Sequence, residues 1–249
     1  MPSWICLNFQ DSRSFSIGEL RIFHDHVVVV ISGIIILIIY IMLYILNTVK
    51  FYKNLSEGTL IETVWSIVPA FLLIILVIPS MKVLYLIEDI KMSSLRFKVI
   101  AHQWYWSYVV PLYKNFSFKL NNSIFSNYEY DSLIETDLNS PRLLGCRSSL
   151  FIPLNRVSRF LISSTDVIHS FAVPSLGIKV DALPGRINQL FTNPSRLGRF
   201  YGQCSEICGS NHSFIPIRIK VVSLGDFDKY SKFYLLEMLE EGGIKVVKI

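Results

Sequence analysis

Residues 204–212 read Cys204-Ser205-Glu206-Ile207-Cys208-Gly209-Ser210-Asn211-His212. Two thiols and an imidazole, each four positions from the last, can turn inward around one point in a tight loop. Thiolate and imidazole suit copper or zinc, not magnesium or calcium. A mononuclear blue-copper site uses one cysteine, so two this close can instead bridge two copper ions. On its own the loop leaves copper, zinc and a disulfide open. Its surroundings favour copper.

A second histidine lies upstream in Ser163-Ser164-Thr165-Asp166-Val167-Ile168-His169-Ser170-Phe171-Ala172-Val173-Pro174-Ser175. It follows an apolar stretch, Phe160-Leu161-Ile162, that reads as a buried strand. One histidine on a strand, with the other ligands on a distant loop, is how cupredoxin-like barrels assemble a copper site. With these residues the chain resembles subunit II of mitochondrial-type cytochrome c oxidase, the subunit that bears the binuclear CuA centre. The resemblance also covers residues 18–26 and 61–70, His102-Gln103-Trp104-Tyr105-Trp106-Ser107-Tyr108, and residues 166–189 and 201–217.

Composition agrees with a membrane anchor. The chain has 249 residues and a mean hydropathy of +0.44, too apolar for an ordinary soluble domain. Residues 27–46 carry no charge and are rich in Ile and Val, which is the length that spans a bilayer. A second apolar run, residues 63–81, continues to 87 past Lys82 and contains Pro69 and Pro79, which membrane helices tolerate. A secretory signal fits poorly, because the first run is long and a second follows. His24-Asp25-His26 reads as interfacial anchoring before the first span.

Residues 1–87 hold five basic and five acidic side chains, and residues 88–249 hold nineteen and fourteen, so the net +5 lies wholly in the second part. Lys50 and Lys53 lie between the spans, but Arg13, Arg21, Lys91, Arg96 and Lys98 flank the other side, so charge does not set the orientation. Two spans place both termini on one side, which the resemblance implies is the intermembrane space.

Beyond Met92 the pattern changes to short alternating segments. Residues 95–101, 105–110, 117–120, 150–153, 159–163, 187–192, 200–202 and 215–222 read as strands between Asn, Ser, Gly and Pro clusters, the signature of an all-β barrel. Residues 226–241 are helix-compatible. The expected architecture is an α+β membrane protein. It has an N-terminal segment and two-helix transmembrane hairpin over 1–91, with spans at 27–46 and 63–87. A cupredoxin-like Greek-key β-barrel follows over 92–241, then a tail over 242–249. Cys6 and Cys146 stand alone and form no disulfide framework.

The resemblance implies the following roles. His169, Cys204, Cys208, His212 and the backbone carbonyl of Glu206 ligate the binuclear copper. The Glu206 carboxylate helps bind a magnesium ion shared with the catalytic subunit, a hard cation that needs oxygen. Trp104 receives the electron and Tyr105 supports the onward path, although alternating aromatics on a strand also serve packing. Asp181 and Arg186 lie at the subunit interface, or else form surface ion pairs. Glu62 marks the mouth of a proton path, or simply suits a helix N-terminus.

The chain departs from the family at Ile215, where the weak axial thioether ligand stands in relatives. Two readings stay open: a true isoleucine, or an AUA codon that many mitochondrial codes read as methionine. The neighbourhood of the aromatic motif also lacks the usual acids: Val109-Val110-Pro111-Leu112 follow it, Gly145-Cys146-Arg147-Ser148-Ser149 replace an acidic stretch, and Thr165 stands where an acid is common. A shallow salt dependence of donor association is expected, the alternative being that Glu129, Asp131, Glu135 and Asp137 supply the acidic patch from a neighbouring loop.

The implied function is electron input to a haem–copper oxidase. Cytochrome c donates, oxidase subunit I accepts and reduces O2 to water with proton pumping, and other oxidase subunits and the lipid bilayer complete the partners. No nucleic acid partner is expected. The implied location is the mitochondrial inner membrane. A divergent structural or regulatory paralogue with impaired CuA electron transfer is the alternative. A quinol oxidase subunit II would lack the copper ligands, and a copper chaperone would lack the Trp104 cluster and the two spans.

Overall fold

The structure is a computed structural model that describes residues 8–49, 54, 56–89, 92–93, 95–111, 118–120, 123–125, 127–136, 140–240 and 245–246. Cys6, Leu112, Asp137 and Gly242-Gly243 lie outside these residues. The chain divides into two compact units, residues 19–89 and residues 1–18 together with 90–249.

The first unit holds the helices α1 (Phe15–Asn47) and α2 (Thr59–Glu88), both long and apolar enough to cross a membrane. Large apolar side chains point outward on all sides of both helices, from Ile34 to Leu46 and from Val64 to Ile78. A helix that is apolar all round needs a non-aqueous surrounding. Its few polar groups are satisfied locally: the Thr63 and Ser66 hydroxyls each donate to the carbonyl four residues back, at 2.8 Å, and Lys82 pairs with Glu19 at 3.0 Å. Helix α1 begins well before the apolar run at 27, so the polar lead around His24-Asp25-His26 is helical too.

The second unit is built on β1 (Leu95–His102), β2 (Tyr105–Pro111), β3 (Phe118–Leu120), β4 (Ser123–Phe125), β5 (Asn127–Ser132), β6 (Leu150–Pro153) and β7 (Ser158–Ser164). These are followed by β8 (His169–Val173), β9 (Ile178–Ala182), β10 (Asn188–Thr192), β11 (Gly198–Cys204) and β12 (Pro216–Val222). Helix α3 (Leu224–Glu240) and β13 (Lys245–Val246) end the described chain. One sheet runs β10-β7-β1-β2-β5-β13 and another β6-β12-β11-β8-β9, with β3 and β4 forming a separate pair. Strand β1 is parallel to β7, and β12 to β6, so the chain crosses over between partners instead of only folding back.

Alternation explains the buried face. In β1, Leu95, Phe97, Val99 and Ala101 are buried while Arg96 and Lys98 are exposed. Rings from both sheets meet in one core, with Trp106 against Phe171 at 5.1 Å and Phe160 against Phe171 at 6.3 Å between centroids. Each such fully buried ring contributes roughly 1.5–3 kcal/mol. Ser223 caps α3 by accepting the Asp226 N–H at 3.1 Å, and Phe227 inserts edge-on against Phe97.

Strands β8 and β9 were not among those expected. All five residues of β8 are buried, so it lacks the alternation that signals a strand. Lys245-Val246, expected in a tail, pairs with Glu129 and Tyr128 at the edge of the first sheet.

The N-terminal segment is a strap across the barrel. The Arg13 N–H donates to the Ser175 carbonyl, the Ser195 N–H donates to the Arg13 carbonyl, and the Ser14 hydroxyl donates to the Leu176 carbonyl at 2.7 Å. Ile17 is buried against Gly177, which adopts φ +67; a Cβ there would come within 3.0 Å of the Ile17 Cβ. Glycine is needed at that position for both reasons.

Candidate metal centre

Three of the four side chains expected as ligands cluster tightly. The donor atoms of His169, Cys204 and Cys208 lie within 4.8 Å of one another, and all three residues are buried. His169 opens β8, Cys204 ends β11, and the hydrogen-bonded pairing of these two antiparallel strands brings them together. His212, in the turn after the loop, joins through Cys208. The contacts form a row: Cys204 Sγ to His169 Nδ1 3.9 Å, Cys204 Sγ to Cys208 Sγ 4.0 Å, and Cys208 Sγ to His212 Nδ1 3.5 Å. The Glu206 carbonyl lies 3.4 Å from Cys204 Sγ, while Glu206 itself is exposed. Sulfurs 4.0 Å apart are not a disulfide, which needs about 2.05 Å.

Burial raises both thiols, but Cys204 falls to about 6 because His169 and backbone groups of Ser170 and Glu206 stabilise its thiolate. Cys208 rises to about 12, from burial and then from repulsion by the Cys204 thiolate. The two thiols thus shift in opposite directions, and a bound cation would favour loss of both protons.

Asp166 is the residue that sequence reading missed. Its carboxylate accepts from His169 Nε2 at 2.9 Å, leaving Nδ1 turned toward the thiols. The carboxylate is itself held by the Gln103 N–H at 2.6 Å and the Val167 N–H at 2.6 Å. Burial pushes His169 down and Asp166 up, but their mutual bond, with Cys204 acting on the histidine, shifts His169 up and Asp166 down. A carboxylate behind a metal-binding imidazole fixes its orientation and basicity. An acid three residues before a candidate histidine was the available signal.

Trp104 touches the centre directly. Its indole N–H donates to the Cys208 carbonyl at 3.3 Å, and the Gln103 side-chain amide donates to the same carbonyl at 2.9 Å. Gly209 makes this approach possible. It sits at φ +123, and a Cβ there would lie 3.2 Å from two atoms of the indole ring. Tyr105 stacks on His102 at 4.6 Å. Ile215 is buried in the same core cluster as the two thiols, and its carbonyl accepts the Cys204 N–H.

Two of the acids named from the sequence lie near Tyr105. Glu129 and Asp131 lie on β5, in register with Val109 and Ser107 of β2, and Asp131 accepts the Ser107 hydroxyl at 2.6 Å. Burial, then Asp131, Asp166 and Glu129, raise the Tyr105 phenol. Glu135 is instead paired with Arg218 at 3.6 Å.

Asp181 and Arg186 are both exposed, Asp181 on β9 opposite Ser170 and Arg186 in the turn that follows. Glu62 is exposed in the first turn of α2, in the other unit.

Comparison with known families decides the class. Residues 95–222 match the family described as cytochrome C oxidase subunit II, periplasmic domain, and residues 2–83 match its transmembrane domain. The chain belongs to the cytochrome c oxidase subunit II family. It is 43% identical to cytochrome c oxidase subunit 2 of Ctenocephalides felis, covering 92% of this chain and 98% of that one. It is 42% identical to the same subunit of Yponomeuta malinellus, covering 94% and 99%. The solved periplasmic domain of subunit II of the cytochrome oxidase of Bradyrhizobium japonicum is 40% identical, with a TM-score of 0.50 over 58% of this chain and 96% of that chain. The chain is thus a mitochondrial-type subunit II of the haem–copper oxidase complex, with a transmembrane domain and a cupredoxin-like domain.

Cys146, outside the metal loop, is fully buried beneath that domain's surface, and burial raises its thiol to about 11. In reduced, metal-free protein, peptide mapping after alkylation at neutral pH should find Cys204 labelled well before Cys146. Labelling of Cys146 should accelerate as pH rises toward 11, because only the thiolate reacts. Equal labelling at neutral pH would show that the Cys146 pocket opens readily.

Proposed function

We propose that this subunit accepts electrons from cytochrome c at a binuclear CuA centre and passes them to oxidase subunit I, which reduces O2 to water with proton pumping. The observation that carries the reading is the row of donors, with one imidazole at each end and two thiols between. His212 lies outside the group of three donors within 4.8 Å and reaches it at Cys208 Sγ, 3.5 Å away, so the donor set is more extended than the single point that a tetrahedral zinc site requires. His169, Cys204, Cys208 and His212, with the Glu206 carbonyl, would hold the two copper ions. Such a centre, when bound, supplies one-electron transfer.

The chain's own groups prepare it. Asp166 keeps His169 in the tautomer that frees Nδ1. The backbone N–H of Gln103 holds Asp166, and its side chain holds the Cys208 carbonyl. Trp104 reaches that carbonyl from the surface side, which supports it as the point of electron acceptance, with Tyr105 beside it. The paired strands β8 and β11 fix His169 and Cys204, and the hydrogen bonds of Asp166, Gln103 and Trp104 tie the adjoining turns to them, which limits rearrangement between redox states.

Glu206 would turn its carboxylate to a magnesium ion shared with subunit I, and exposed Asp181 and Arg186 would contact that subunit. Glu62 would mark a proton path. The copper domain, residues 92–241, would face the intermembrane space from the mitochondrial inner membrane, anchored by spans at 27–46 and 63–87. The divergent paralogue with impaired electron transfer gains no support from the site, since every strong ligand is present.

The reading is tested by reconstituting the purified subunit with copper. Two copper ions per chain and a mixed-valence visible spectrum are expected; one zinc and no stable copper would sink it. Ile215→Met should lower the reduction potential of that centre, because an added thioether donor stabilises the oxidised state. The fold should tolerate the change within about 1.5 kcal/mol, as volume-conserving apolar swaps do. An unchanged potential and spectrum would mean that position 215 only packs.

A further inference from the structure

A cleft of about 620 Å3 lies over β11, the strand that ends at Cys204. Along β11, Arg199 and Gln203 are exposed and Tyr201 half-buried, while Phe200, Gly202 and Cys204 turn into the core. Phe9 and Arg13 of the N-terminal strap border the cleft, together with Arg142 and Leu143. Among the described residues that line it, three guanidinium groups meet one carboxylate, Asp11, which is already paired with Arg13 at 3.5 Å. Arg142 and Arg199 are exposed, and neither forms an ion pair among the described residues.

We propose that this cleft docks an acidic, partly apolar peptide segment of another subunit of the oxidase. The planar guanidinium fork matches a carboxylate with two parallel hydrogen bonds, and two such forks stand unpaired here. The cleft is in the size range that holds a ligand of many atoms, more than a lone small anion would fill. Charged residues are depleted from interface cores except arginine, which is enriched there. The inference rests on membership in a multi-subunit oxidase and not on the metal reading. Its position has a further effect: a segment seated here would buttress the outer side of β11, the strand that presents Cys204.

The test compares the isolated full chain in detergent with the assembled oxidase. Phenylglyoxal, an arginine reagent, is applied to both and the modified peptides are mapped. Arg142 and Arg199 should react in the isolated chain and be protected in the assembly. A benzophenone amino acid at Leu143 should crosslink, in the assembly, to a segment of another subunit that carries at least two carboxylates. Arg142→Glu with Arg199→Glu should weaken retention of that subunit by at least about 100-fold, since reversing paired charges at an interface costs several powers of ten in affinity. The visible spectrum of the metal centre, followed in parallel, separates loss of docking from loss of the site. Equal reactivity of the two arginines in both samples would overturn the proposal. So would a crosslink to lipid or to a segment without acids, or protection of the isolated chain by added inorganic pyrophosphate with none in the assembly.

Discussion

Cys208→Ser is expected to reduce bound copper from two ions per chain to one or none and to abolish the mixed-valence absorption. Cys208 stands at an inner position of the donor row, 4.0 Å from the Cys204 sulfur and 3.5 Å from the His212 nitrogen. A hydroxyl there is hard, stays protonated and cannot bridge soft ions. Even changes behind a ligand cost 10–100-fold in metal affinity, so loss of a bridging thiolate should exceed about 100-fold. The fold should survive, because serine is nearly isosteric; leaving its hydroxyl unpaired in a buried site costs about 1–3 kcal/mol. Copper content by elemental mass spectrometry and the visible spectrum decide the matter. Retention of two ions with an unaltered spectrum would remove Cys208 from the ligand set.

Trp104→Leu should slow electron acceptance from cytochrome c by about a hundredfold, the scale on which a displacement of about 1 Å disrupts a positioned transfer. The indole is held by the Cys208 carbonyl and sits where Gly209 offers no side chain, so leucine removes both the aromatic surface and its anchor. Stopped-flow rates with the copper spectrum unchanged isolate this effect from damage to the centre. The same experiment reports on steering. Glu129 and Asp131 around Tyr105 should make association fall as salt rises, since the screening length is only about 8 Å at 0.15 M. Glu129→Gln with Asp131→Asn should flatten that fall. A rate independent of salt in the unaltered protein would show that these two acids, although near, do not face the donor.

The acids show where sequence reading stops. Glu129 and Asp131 are more than twenty residues from Trp104, and nothing in their local pattern says that β5 pairs with β2. Sequence order could name these acids as a possible patch but not place them beside the aromatic motif. The metal loop was legible because its donors are close in sequence and chemically specific, and His169 was legible by resemblance. Asp166 was not, because its role depends on which imidazole nitrogen faces the sulfurs. The two helices were evident from their apolar runs, but the extent of α1 was not, since residues 15–26 intersperse Phe15, Ile17, Leu20, Ile22 and Phe23 with charged and polar residues and so fall outside the charge-free run. Strand β8 was hidden by its complete burial.

The strap has a consequence for the order of events as the chain is made. Ser14 and Leu176, joined by a hydrogen bond, are 162 residues apart in sequence, and Arg13 bonds to Ser175 and Ser195. Residues synthesised early must remain available until the segments that follow β8 and β10 exist. Contacts of such separation are closed late, after the loop-closure entropy has been met. The strap is a seam that can join only once the middle of the domain has been made.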